Sequence, residues 1–122
     1  DAPPAWRPAA RRRLAAAAAT REDIKAFVES ATTNHRVCVF SKSWCPFCSQ
    51  AKAVFQAYEL PEGDYAVFEL DEIAEGAELQ EVLEEMTGQR TVPNVFVRGE
   101  HLGGCDDTMR KQQDGSLAAL IG

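Results

Sequence analysis

The chain has 122 residues, 45% hydrophobic and 26% charged, with a formal net charge of −6, the make-up of one globular domain. No stretch approaches the roughly 18 uninterrupted apolar residues that a membrane-spanning helix needs, and four cysteines in this length are too few for a disulfide scaffold. Charge is divided: residues 1–19 hold four arginines and one acid, net +3, while residues 20–122 hold nine basic and eighteen acidic residues, net −9, which repels phosphate backbones and argues against a nucleic-acid partner.

Residues 1–19 are low in complexity and stand outside the domain: prolines, then arginines, then Leu14 followed by five alanines. Arginine-rich, acid-poor segments of this kind resemble organelle transit peptides, and an alanine-rich tail with no address fits the composition equally. The compartment is therefore cytoplasmic, or a plastid or mitochondrion if the segment is a transit remnant. The lack of an initiating Met points to a processed or shortened chain.

The domain spans 20–122. Thr20 followed by Asp23 has the pattern of a capping box, and Ile24, Phe27 and Val28 form one face of the helix it opens. A strand is expected at about 36–41. A helix runs from Cys45 to about Tyr58 and stops before the turn cluster Pro61-Glu62-Gly63-Asp64. Tyr65 to Leu70 reads as a second strand. The next helix, about Glu75 to Met86, puts Leu79, Val82, Leu83 and Met86 on one face, with Met86 as core filler, and ends at Gly88. Its glutamates, at 75, 78, 81, 84 and 85, read as a solvated face rather than a metal site.

Val95-Phe96-Val97 is a third strand, Arg98-Gly99-Glu100 a tight turn, and His101-Leu102 a short fourth strand. From Cys105 to Ile121 one broken helix, or two short ones, surrounds Asp114-Gly115. The order α-βα-βα-ββ-α gives an α/β fold with a mixed four-stranded sheet flanked by helices.

Chemistry concentrates at Cys45-Pro46-Phe47-Cys48, where a strand gives way to a helix. Two thiols at this spacing read as a redox pair. A tetrahedral zinc site would want a second close pair of ligands, but Cys38, Cys105, His35 and His101 are each isolated in the sequence. With Cys45 at the N-cap, Pro46 falls at the first helical position, where its missing N–H costs little. The amides of Phe47 and Cys48 then point at the Cys45 sulfur, and the Lys42 charge adds to them. Cys45 is expected to ionise below the ordinary thiol range and act as nucleophile. Cys48, one turn inside, stays protonated. Cys38, within a strand, is expected to be buried core, and Cys105 inert, with glutathionylation or intermolecular bridging at Cys105 as the alternative.

Three segments together, Lys42-Ser43-Trp44-Cys45-Pro46-Phe47-Cys48, Gly88-Gln89-Arg90-Thr91-Val92-Pro93 and Gly103-Gly104-Cys105-Asp106-Asp107, resemble the signature segments of dithiol glutaredoxins in order and separation. The resemblance covers about residues 20–122. It departs at Phe47, where the family usually has Tyr. Thioredoxins also carry a Trp before the first cysteine but have Gly-Pro between the two.

The resemblance implies a thioredoxin-like fold and glutathione-dependent thiol–disulfide exchange, with Cys45 and Cys48 catalytic and glutathione as co-substrate. It implies a cis peptide before Pro93, with Val92 offering its backbone to the tripeptide. It further implies that the γ-glutamyl end meets Gly104, Cys105 and Asp106, that Lys42, Gln80 and Arg90 hold the glycyl carboxylate, and that Phe47 and Thr91 complete the wall. The implied partners are glutathione and glutathionylated or disulfide-bonded proteins, with a monomer as the working form and no metal. The rival reading is a dimer around a [2Fe–2S] centre, which Pro46 disfavours because cluster-binding relatives tend to carry a small residue there. A module of a larger reductase is a further alternative.

Overall fold

The computed structural model describes residues 19–122; the reading of 1–18 as a tail or transit remnant lies outside them. Helix α1 (Arg21–Asn34) opens with a reciprocal capping box. The Asp23 amide donates to Thr20 Oγ1 at 3.1 Å, and the Thr20 amide donates to Asp23 Oδ2 at 3.0 Å. Then follow β1 (Val37–Ser41), α2 (Pro46–Gln56), β2 (Tyr65–Glu69), a 3₁₀ turn (Leu70–Glu72), α3 (Gly76–Thr87), β3 (Asn94–Val97), β4 (Glu100–Gly103), α4 (Cys105–Asp114) and α5 (Ser116–Ile121).

The four strands form one mixed sheet in the order β2-β1-β3-β4, with β1 parallel to β2 and antiparallel to β3. A parallel neighbour needs a crossover, and α2 supplies it. Antiparallel β3 and β4 need only a two-residue turn. Arg98 and Gly99 make it with φ of 52° and 80°, the paired positive angles that match strand twist in a hairpin.

Because helices cover both faces, every residue of β1 is buried. Successive side chains point to opposite sides. Cys38 and Phe40 join Ile24, Val28, Phe68, Leu79, Leu83 and Phe96 beneath α1 and α3. Val37 and Val39 join Phe55, Val95, Val97, Leu117 and Ile121 on the side of α2 and α5. Phe40 stacks on Phe68 at 5.3 Å and meets Phe96 edge-on at 5.9 Å. Each such ring pair contributes about 0.5–1.5 kcal/mol beyond its area burial.

Two side chains depart from their sequence reading. Met86 is 36% exposed rather than core, because the buried stripe of α3 ends at Leu83 and Met86 falls in the last turn beyond it. Glu75 is only 6% exposed, unlike Glu78, Glu81, Glu84 and Glu85. It caps α3 where the chain passes tightly from the 3₁₀ turn. A Cβ on the neighbouring Gly76 would run into the Leu70 carbonyl, so the chain turns tightly at this junction. Helix α2 also stops at Gln56, short of Tyr58, and the fourth strand extends one residue beyond each end of His101-Leu102.

Candidate active site

Cys45 is the N-cap of α2, with extended backbone (φ −86°, ψ 121°) and Pro46 in the first turn. The residue is 7% exposed, and burial is the largest single influence on its thiol, pushing the pKa up. The Cys48 amide and thiol, the Phe47 amide and the Lys52 charge together outweigh it, so the Cys45 pKa is lowered from the ordinary thiol value. The sulfur makes no capping hydrogen bond of strict geometry; the helix-start amides act through proximity.

Cys48 is fully buried, and desolvation pushes its thiol up to about 11 against the opposing Lys42 amide, which donates to Cys48 Sγ at 3.5 Å. Both cysteines are free thiols. The pair therefore divides as expected, but the cation that acts on Cys45 is Lys52 and not Lys42. Lys42 directs its ammonium over the Trp44 ring, 5.7 Å from the centroid. Lys52 is largely buried along α2, with Nζ 2.8 Å from Glu69 Oε2 at the end of β2.

The loop before Cys45 is fixed at Ser43. Its amide donates to Asp71 Oδ1 at 3.0 Å and its hydroxyl donates to Asp71 Oδ2. Trp44 and Phe47 stand out from this loop and helix start, 69% and 59% exposed.

Phe47 forms one side of a groove of about 440 Å³. The opposite wall is Thr91, Val92 and Pro93, with a cis Val92–Pro93 bond, and the third side is Gly104, Cys105 and Asp106 at the start of α4. The Thr108 amide donates to the Gly104 carbonyl, which leaves the amides of residues 105–107 ahead of the first intrahelical bond. Such a terminus favours an anionic group. Asp107 accepts the Gly104 N–H at 3.0 Å and so sets the approach of the chain into this helix.

Of the sequence-predicted residues, Phe47, Thr91, Val92, Pro93, Gly104, Cys105 and Asp106 line this groove. Lys42, Gln80 and Arg90 do not. Gln80 Nε2 donates to the Arg90 carbonyl at 2.8 Å, which draws those two together, and the Arg90 guanidinium pairs with the exposed Glu84 at 3.1 Å. Gln89 and Asp107 line the groove unanticipated, although both stand inside the quoted segments. Cys105 is buried and donates its thiol to Gln50 Oε1 at 3.6 Å. Burial first, then the Asp106 and Cys45 charges, push its pKa up, which fits an inert thiol. Cys38 is wholly buried, and desolvation pushes its thiol far up.

Among the described residues no group of three or more His, Cys, Asp or Glu is arranged to hold a metal ion. No described helix is long and apolar enough to cross a membrane.

A family model described as Glutaredoxin matches residues 37–102, more than half of the chain. Glutaredoxin-C8 of Oryza sativa subsp. japonica is 48% identical over 108 residues, covering 88% of this chain and 79% of that one. Glutaredoxin-C4 of Arabidopsis thaliana is 48% identical over 96 residues, covering 79% and 69%. Among solved structures, a buckwheat glutaredoxin–glutathione complex superposes with a TM-score of 0.77 at 37% identity, over 83% of this chain and 89% of that one.

Proposed function

The chain belongs to the glutaredoxin family and is a glutathione-dependent thiol–disulfide oxidoreductase, and from that premise we propose that it reduces protein–glutathione mixed disulfides through Cys45. The observation that carries this is a helix-capping thiol with a lowered pKa beside a groove walled by a cis-Pro segment and a helix N-terminus.

The Cys45 thiolate attacks the glutathione sulfur of the mixed disulfide. A Cys45–glutathione disulfide forms, and the protein sulfur leaves as a thiolate that takes a proton from water. A second glutathione, as thiolate, attacks the glutathione sulfur held on Cys45. Oxidised glutathione departs and Cys45 returns as a thiolate. The lowered pKa acts chiefly in this second step: a more stable thiolate leaves faster, whereas in the first step its lower nucleophilicity offsets its larger ionised fraction.

Glutathione is the co-substrate, and the groove suits an extended tripeptide. Val92 offers backbone N–H and C=O, the amides of Cys105 and Asp106 take the γ-glutamyl carboxylate, and the Asp106 carboxylate takes the amino group. Lys42, Gln80 and Arg90 receive the glycyl carboxylate beyond the groove, Lys42 by leaving Trp44. For protein disulfides, Cys48 resolves the intermediate on Cys45, and the enzyme works as a monomer in both reactions.

The test is a coupled deglutathionylation assay on wild type, Cys45→Ser and Cys48→Ser. Turnover is expected to vanish in Cys45→Ser and to persist in Cys48→Ser. Equal loss in both variants would refute the one-cysteine route and favour a strictly dithiol one.

A further inference from the structure

We propose that Gln89 is a positioning residue for glutathione: its side-chain amide holds the Val92 peptide in place where the cis-Pro wall of the groove converges on the Gly104 wall. The proposal deepens the reading above and rests on it.

Gln89 follows Gly88, whose left-handed backbone (φ 80°) ends α3. Its own backbone is fixed on both sides by side chains. The Gln89 amide donates to Thr87 Oγ1 at 3.0 Å, and its carbonyl accepts from Asn94 Nδ2 at 3.3 Å. Thr87 is anchored in turn to the Leu83 carbonyl at 2.7 Å, and Asn94 is 1% exposed at the start of β3. The Gln89 side chain therefore leaves from a point with little freedom.

From there Nε2 donates to the Thr91 carbonyl at 3.0 Å and to the Pro93 carbonyl at 2.9 Å. These carbonyls bracket Val92, the residue whose backbone faces the tripeptide. A side-chain amide nitrogen has two hydrogens, and both are used. Gln89 and Gly104 line the same groove, and a Cβ added to Gly104 would come within 3.7 Å of Gln89 Nε2 and 3.6 Å of the Pro93 carbonyl oxygen, so the two walls converge here. Gln89 thus sits where the segment that pairs with the peptide backbone meets the helix start that receives its carboxylate. It needs no contact with the reacting sulfur to control how well the substrate is held.

A positioning role of this kind affects binding more than chemistry. The probe is a cysteinyl peptide carrying glutathione as a mixed disulfide, with turnover followed through oxidised glutathione. Gln89→Met removes the donors at similar length; Gln89→Glu replaces them with a charge that repels both carbonyls; Gln89→Lys restores donors at comparable reach. Losing two neutral hydrogen bonds is expected to raise KM about fivefold or more in the Met and Glu variants, with kcat within about twofold of wild type. KM in Gln89→Lys is expected to return most of the way. The pH profile of Cys45 alkylation stays in place in all three, which shows that fold and nucleophile are intact.

An unchanged KM in Gln89→Met, a loss confined to kcat, failure of Lys to rescue, or a displaced alkylation profile would each overturn the proposal. If wild type itself does not turn over the probe, the parent reading falls and takes this one with it. Activity in wild type with no effect of Gln89→Met removes this proposal alone.

Discussion

Cys48 lies one helical turn inside Cys45, and the two sulfurs titrate in opposite directions. Cys45 is lowered by the amides at the helix start, the Cys48 thiol and Lys52 against the cost of burial, while desolvation drives Cys48 up to about 11. Depth along a single helix separates a thiol favoured as thiolate from one held protonated, as the proposed nucleophile and resolving thiol require.

That asymmetry is read by iodoacetamide labelling against pH. Alkylation at Cys45 is expected to rise through a midpoint below the ordinary thiol value of about 8.5. Cys48 is expected to stay unlabelled throughout that range, and Cys45→Ser to lose the rapid phase. A midpoint at the ordinary thiol value would remove the basis for assigning Cys45 as the nucleophile.

The Lys52 charge favours the Cys45 thiolate, and Lys52 is ion-paired with Glu69. Lys52→Met removes a cation that favours the thiolate and leaves the Glu69 charge uncompensated, so the midpoint moves up. Glu69→Gln unmasks Lys52, so it moves down. Lys42→Met is expected to move it less than either, because that ammonium is parked over Trp44. Opposite signs for the Lys52 and Glu69 variants are the diagnostic result.

Gly103 has φ of +130°, and a Cβ there would run into the Asp107 carboxylate. Gly103→Ala is therefore expected to cost about 1–3 kcal/mol of stability by urea denaturation, the scale of a strained backbone position. It also displaces Asp107 from the Gly104 N–H, so glutathione affinity falls alongside stability.

Helix α3 provides an internal contrast. Leu83 is 1% exposed and Met86 is 36% exposed one turn later. Leu83→Ala is expected to destabilise by about 2–5 kcal/mol, and Met86→Gln to stay within about 0.5 kcal/mol of wild type. Comparable losses at both positions would show that Met86 is packed after all.

Elements were legible wherever a local pattern determines them. The Thr20/Asp23 cap, the helix end at Gly88 and the tight turn at Arg98-Gly99-Glu100 each follow from a few neighbouring residues. The mixed four-stranded sheet follows from the strand–helix–strand start and the hairpin finish, whereas the strand order β2-β1-β3-β4 came only with the structure. What escaped was set by partners distant in sequence. Met86 continues an apolar stripe that the packing does not reach, and Glu75 continues an acidic series yet is buried in the fold.

The electrostatics at Cys45 followed the same rule. Lys42 is nearer in sequence, but it is Lys52, ion-paired on α2 with a carboxylate at the end of β2, whose charge acts on the thiol. Gln89 and Asp107 stood inside the recognised segments, and their roles became visible only once the loop carbonyls and the Gly104 amide were placed around them.

Ser43, with amide and hydroxyl both tied to Asp71, makes the stretch ahead of Cys45 a fixed bracket rather than a flap. If that bracket holds through turnover, the loop ahead of Cys45 need not open for each cycle. Throughput should then scale with the supply of incoming thiolate, climbing in proportion to glutathione concentration. A ceiling reached at low glutathione that does not rise when the mixed-disulfide substrate is increased would point to a protein motion that this bracket does not allow.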